Sequence, residues 1–320
     1  MTSATILGCA GLRLDRDERA FFREADPWGF ILFGRNVETP EQIYRLTNDL
    51  REAVGRDCAI LIDQEGGRVQ RLRAPHWREW LPPLEQPGGP EAFRLRARIM
   101  AAELRAVGID ANCAPTCDVA GPQTHPFLRN RCLGTDPETV ALKARALAEG
   151  LLAGGVLPVM KHMPGHGRAT ADSHLHLPVV SAPEEELEAD FAPFCALNDL
   201  PMGMTAHIRF TALDDAPATQ SPRLIRLIRE HIGFDGLLMT DDIAMQALSG
   251  TMAARAAASV AAGCDVVLHC NGDRAEMEEV VAAAGALRAV ERAEAALARR
   301  LVPEPVDIAA LAAELEALAG

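Results

Sequence analysis

Eight short apolar runs recur along the 320-residue chain, each followed by an amphipathic segment: Ala4 to Leu7, Gly29 to Phe33, Cys58 to Ile62, Ile109 to Ala114, Val156 to Met160, Met202 to Ala206, Gly236 to Thr240 and Asp265 to His269. Runs this short read as strands buried on both faces, and buried strands alternating with helices form a parallel sheet with right-handed crossovers. Eight units is the number that closes a barrel, so the expected fold is α/β, a single (β/α)8 barrel with room for one imperfect strand.

The segments between the runs carry helix starts. Thr39 as N-cap with Pro40 at the first helical position opens Pro40 to Val54; Pro90 to Val107 and Pro137 to Ala153 open in a similar way, and Ser221-Pro222 starts another. An open doubly wound sheet would need a glycine-rich phosphate turn after the first run, and Gly8-Cys9-Ala10-Gly11 is too weak for that signature. From Met277 onward Ala, Glu and Leu dominate, which fits helices packed on the barrel exterior. No low-complexity linker intervenes, so residues 1–320 are read as one domain with its C-terminal helices from about residue 277.

Charge narrows the partners. A formal net charge of −13 and a pI of about 5.2, with no run of Lys and Arg, set the chain against nucleic acid and anionic membranes. No apolar run approaches the roughly 18 residues of a membrane span. Ile6-Leu7-Gly8-Cys9 has the look of a lipoprotein cleavage site, but without the basic start and apolar stretch that such a signal needs. None of the eight cysteines forms a CxxC pair and most lie in apolar runs, so they are read as reduced thiols of a cytoplasmic protein.

A barrel demands that polar chemistry collect just after its strands, on the C-terminal face. Here Arg35 and Asn36 follow the second run and Asp63-Gln64-Glu65-Gly66-Gly67-Arg68, then Arg71, follow the third. Asp118 and Arg131 follow the fourth, Lys161 and His162 the fifth, His207 the sixth, Asp241-Asp242 the seventh and Asn271 the eighth. Turn formers and helix caps explain any one of these positions, but not the whole set.

Lys161 to Pro178, KHMPGHGRATADSHLHLP, has neither helical nor strand periodicity and reads as a long loop after the fifth strand. Within it, Asp172 can hold one ring nitrogen of His174 while the other moves a proton. The glycines flanking His166 allow a backbone that folds tightly or moves. Either Asp241 or Asp242 can act as a nucleophile toward an anomeric carbon. Only one of the two can face the pocket, and spacing does not say which. Asp63, Arg71, Arg131, Lys161 and His162 would bond the hydroxyls of a polar ligand such as a sugar. Glu65 is read as a supporting residue or helix cap, outside this set. Metal binding through His162, His166, His174, His176 and the aspartates is the rival reading, but one flexible loop would have to supply most of the imidazoles and no early His-x-His is present.

Three ordered stretches then resemble glycoside hydrolase family 3. KHMPGHG with the DSH that follows is similar to that family's KHFPGHG…DSH signature, and IDQEGGRVQRL and MTDDIAM are similar to two motifs of its β-N-acetylglucosaminidases. The likeness spans about Gly29 to Asn271. Met163 stands where the family has Phe, Leu128 to Gly134 departs from IGDRSFG, and His176 is an added imidazole. The resemblance implies a TIM barrel and a retaining mechanism, with Asp241 as nucleophile, His174 as acid/base and Asp172 as its partner. It also implies that Asp63, Arg71, Arg131, Lys161 and His162 bind the sugar, with no cofactor and no metal. A β-linked terminal N-acetylglucosamine is the implied substrate, from the anhydromuropeptides that short, cytoplasmic members handle in bacterial cell-wall recycling. A monomer, with no nucleic-acid or membrane partner, is expected. A phosphorylase variant of the same chemistry stays open.

Overall fold

In the computed structural model, which describes residues 1–303 and 305–319, all eight runs become strands. They are β1 (Ser3–Gly8), β2 (Pro27–Leu32), β3 (Ala59–Ile62), β4 (Ala111–Asn112), β5 (Leu157–Met163), β6 (Met202–Thr205), β7 (Leu237–Met239) and β8 (Val267–His269). All pair in parallel in the order β7-β6-β5-β4-β3-β2-β1-β8. The ring shuts at a short seam between β7 and β8. There Met239 bridges Val266 in parallel, the Thr240 amide donates to Val266 O at 3.1 Å, and the Leu268 amide donates to Thr240 Oγ1 at 2.9 Å. The architecture is the eight-stranded α/β barrel that the repeated runs imply.

Each strand leads into a helix: α1 (Arg16–Ala25), α2 (Pro40–Val54), α3 (Gly89–Ala106), α4 (Pro137–Ala153), α5 (Glu184–Ala196), α6 (Pro222–Arg226), α7 (Met252–Ala262) and α8 (Arg274–Ala284). The caps are where the sequence puts them. Thr39 Oγ1 accepts the Gln42 amide at 3.2 Å, Asp136 accepts that of Thr139 at 2.9 Å and Ser221 that of Leu224 at 3.0 Å, each with proline next in the chain. Two further helices follow, α9 (Val290–Ala298) and α10 (Ile308–Ala319). Leu311 and Leu315 of α10 pack on Ala92, Leu95 and Ile99 of α3.

Period-two alternation sorts the strand residues into two buried layers. Ile6, Ile31, Leu61, Ala111, Val159, Met204, Met239 and Leu268 fill the barrel. Leu7, Phe30, Ile60, Ile62 and Leu238 face outward into a second cluster with helix residues such as Phe22, Leu46 and Leu104. All eight cysteines are free and seven are buried. Among the described residues no helix is long and apolar enough to cross a membrane.

Two boundaries differ from the sequence reading. The fourth strand is the imperfect one: regular pairing covers only Ala111–Asn112, although Cys113 still donates to Ile62 O and Val159 to Ala114 O. Pro115, which has no amide, follows directly. The fifth strand does not end at Met160. Lys161 donates to Pro115 O at 3.0 Å and Ala206 to Met163 O at 2.7 Å, so Lys161, His162 and Met163 are strand residues and the loop starts at Pro164. That loop is tightly seated, since a Cβ on Gly167 would fall 2.0 Å from Val119 O.

Candidate active site

The C-terminal ends of the strands open on a cavity of about 270 Å³. Ile31, Met204 and Leu268 from the barrel interior form its floor, and Phe33, Asp63, Lys161, His162, Asp241 and Cys270, at or just past the strand ends, form its wall.

Asp63 follows β3 directly, and Glu65 lies two residues on along extended backbone, so both carboxylates face the same way. Between them, the Asp63 carboxylate takes Lys161 Nζ at 3.0 Å and Arg71 Nη2 at 2.9 Å. Glu65 takes Lys161 at 2.6 Å and a two-pronged bond from Arg131, at 2.9 and 2.8 Å. Lys161 is only 2% exposed. Burial works against each of these charges, but the opposite charges outweigh it. Asp63 is held well below the usual carboxylate range, Glu65 is lowered to about 2, and the Lys161 ammonium is held above its ordinary value. The three cations exceed the two carboxylates by one positive charge.

The backbone under this network is fixed from behind. Gln64 and Asn112 exchange two bonds of 3.0 Å between side chain and main chain, and fully buried Arg96 of α3 donates to Glu65 O at 2.6 Å. Gly66, at φ +112°, lies so near Arg96 that a Cβ would come within 1.9 Å of its Nη2.

Past β4, the buried Asp118 accepts His162 Nδ1 at 2.7 Å and the His166 amide at 2.7 Å. With Nδ1 so engaged, His162 keeps Nε2 for the cavity that it lines. His166 is 1% exposed, lines the same cavity, and has no partner on either ring nitrogen among the described residues. Burial, reinforced by neighbouring His162, lowers it to about 4, so it is neutral at neutral pH.

At the tip of β7 both aspartates line the cavity, against the expectation that only one could face it, but their partners differ. Asp242 turns its carboxylate to the backbone, accepting the amides of Ala244 at 3.1 Å and Cys270 at 3.2 Å, while its carbonyl accepts His207 Nε2 at 3.0 Å. Among the described residues, Asp241 accepts only the Asp242 amide, at 2.8 Å. Burial raises the Asp241 carboxyl, but facing His162 and His207, the Asp242 amide and Lys161 bring it below its ordinary value. Asp242 is raised, chiefly by burial.

In the loop after β5, Asp172 Oδ1 accepts the His174 amide at 3.0 Å and meets His174 Nδ1 at 2.7 Å. The Asp172 carbonyl accepts the amides of Leu175 and His176, each at 3.0 Å, so a short turn presents the exposed His174 imidazole to the cavity. Asp63, Arg71, Arg131, Lys161, His162, His174 and Asp241 therefore line one cavity, with Asp172 behind His174. His176 points elsewhere and lines none of it.

Sequence reasoning left Glu65 outside the site, whereas it is the joint between Lys161 and Arg131. Its spacing from Asp63 on extended backbone was the available signal. Phe33, Arg68, Phe127 and His166 also line the cavity; the sequence reading has Arg68 only as one of the polar residues after the third run and His166 only as a rival metal ligand, while Phe33 and Phe127 belong to no sequence-derived site. Among the described residues no three His, Cys, Asp or Glu side chains converge as a metal shell requires.

Residues 7–302 match the family described as "Glycosyl hydrolase family 3 N terminal domain". A beta-hexosaminidase of Methylococcus capsulatus is 42% identical over 274 residues, covering 82% of this chain and 80% of that protein. The structure of a glycoside hydrolase family 3 beta-N-acetylglucosaminidase from a Paenibacillus species superposes with a TM-score of 0.87 at 30% identity, over 99% of this chain and 67% of that one. NagZ from Neisseria gonorrhoeae superposes with a TM-score of 0.82 at 30% identity, over 100% of this chain and 98% of its own. Because the similarity runs through every loop that lines the cavity, the chain belongs to glycoside hydrolase family 3 and is a glycoside hydrolase.

Proposed function

We propose that the chain is a retaining exo-β-N-acetylglucosaminidase that removes terminal β-linked N-acetylglucosamine from peptidoglycan fragments. Asp241 attacks the anomeric carbon as the glycosidic C–O bond breaks, and His174 Nε2 gives its proton to the departing oxygen. Water then attacks the glycosyl-Asp241 ester, His174 takes the water's proton, and the carboxylate leaves with configuration retained. Asp172, on Nδ1, keeps Nε2 free for both transfers.

The observation that carries this reading is that Asp241 and His174, with Asp172 behind the imidazole, open on one polar cavity. Asp63, Arg71, Arg131, Lys161 and His162 supply the hydroxyl contacts of a single pyranose ring. The beta-hexosaminidase and beta-N-acetylglucosaminidase names of the relatives support the choice of sugar. In this proposal residues 1–320 form one cytoplasmic, monomeric domain that needs neither cofactor nor metal.

The test is hydrolysis of an aryl β-N-acetylglucosaminide, with the glucoside as control. Asp241→Ala should reduce turnover to background, and His174→Ala should cost about 10² to 10⁴ in rate, less for a good leaving group. Asp242→Ala should leave measurable turnover, and chelator should change nothing. Full activity in Asp241→Ala would overturn the mechanism. Product analysis with and without phosphate separates hydrolysis from phosphorolysis.

A further inference from the structure

His174 stands exposed on a loop, yet an acid/base must be held at one point over the bond it serves. Its partner Asp172 belongs to the same loop and travels with it. Among the described residues, the hydrogen bonds and ring contacts that reach His174 from outside that loop are two. The Gln246 amide donates to its carbonyl at 3.3 Å, and the Phe127 ring meets its imidazole edge-on, with centroids 5.7 Å apart at 89°.

Phe127 comes from the segment after β4 and is itself pinned. Arg68 Nη2 donates to its carbonyl, and the Arg68 and Arg131 guanidinium carbons lie 5.6 and 6.0 Å from its ring centroid. Its inner side packs on Ala120, Leu128 and Cys132. The ring also meets buried His166 edge-on at 5.9 Å, so one phenyl group touches both ends of the 166–174 stretch. Two main-chain ties run alongside: Thr124 Oγ1 donates to Gly167 O at 2.5 Å and the His125 amide to Ala169 O at 2.9 Å. Those ties fix the base of the loop. Among the described residues, only Phe127 reaches the imidazole at its tip from outside the loop.

We propose that Phe127 is a positioning residue for the acid/base, a fixed ledge from the neighbouring loop that keeps His174 over the cavity. This rests on the reading of His174 given above. Phe127 moves no proton, so its effect must appear only where proton donation matters.

The experiment measures kcat/KM for two aryl β-N-acetylglucosaminides, one with a good nitrophenolate leaving group and one with a poor phenolate. The enzymes are wild type, Phe127→Ala, Phe127→Tyr, His174→Ala and the Phe127→Ala/His174→Ala double variant. Phe127→Ala should lose about tenfold on the poor leaving group and less than about twofold on the good one, the scale of lost aromatic edge contacts. Phe127→Tyr should keep the wild-type ratio, and the double variant should match His174→Ala, because a ledge is worthless without its imidazole. Equal losses on both substrates, or a further tenfold loss in the double variant, would mean that Phe127 merely packs the pocket and would overturn the proposal. If His174→Ala shows no dependence on leaving group, the reading of His174 fails first and the ledge falls with it.

Discussion

Asp241 and Asp242 are adjacent in sequence and titrate in opposite directions. Two amides hold Asp242 against the backbone, where burial lifts its carboxyl, whereas the imidazoles of His162 and His207 help to keep Asp241 ionised. An ionised nucleophile is the active form, so a depressed pKa moves the acid limb of kcat/KM downward. Activity should persist as pH falls through about 5 and fail only below the ordinary carboxylate value near 4. Asp242→Asn keeps an oxygen for the Ala244 and Cys270 amides. The raised Asp242 carboxyl is already protonated where the lowered Asp241 carboxyl titrates, so the limb should stay at the wild-type position, with turnover within about tenfold of wild type; a pH–rate profile checks both. An acid limb at or above pH 5 would contradict this assignment. The sequence leaves the choice of aspartate open because amides that lie 28 residues away in the chain, as that of Cys270 does, leave no local trace.

At the scale of elements, the short ribbon after β3 is the keystone of the site. Gln64–Gly66 pairs with Val69–Gln70, and this ribbon brings Asp63 just before it, Glu65 within it and Arg71 just after it to the mouth of β5. Replacing Glu65 with Gln would leave Lys161 and Arg131 buried with too little countercharge, which typically costs about 3–5 kcal/mol. Glu65 titrates at about 2 in the fold against an ordinary value of 4.5. Its contribution is therefore complete above pH 4.5 and disappears as pH falls toward 2. Denaturant unfolding of wild type and Glu65→Gln across that window should show a steep loss in the first and a flatter one in the second. Asp63 and Lys161 could be read from the chain because they stand at run ends, and Arg131, in the long segment after the fourth run, through the family resemblance. Glu65 left only its spacing from Asp63 as a signal, because its role depends on a ribbon of three residues facing two, too short to register as periodicity. The extension of β5 through Met163 was hidden for a related reason. Lys161 and His162 are polar residues in a buried strand, and burial in that strand is decided by Asp63, Glu65 and Asp118 in other segments.

For the whole molecule, repetition made the barrel legible: apolar runs, N-caps and polar strand ends recur in step, and each supports the same closed sheet. What repetition does not reveal is how the ring closes. At the last rung the Leu268 amide finds the hydroxyl of Thr240, one residue before Asp241, whereas the side-chain oxygens that take the Ile60 and Leu238 amides are carboxylates, of Asp110 and Asp265. A side-chain hydroxyl rotates, whereas a peptide carbonyl does not. The expected consequence is that the seam opens more readily than the rest of the sheet, and the proposed nucleophile lies beside it. Deuterium uptake at the Leu268 amide should outpace that at the Leu61 amide within the sheet, and N-acetylglucosamine in the cavity should slow it. Thr240→Val, which keeps the shape and removes the acceptor, should quicken exchange there and loosen product binding together, tying the tempo of the closing strand to residence of the sugar.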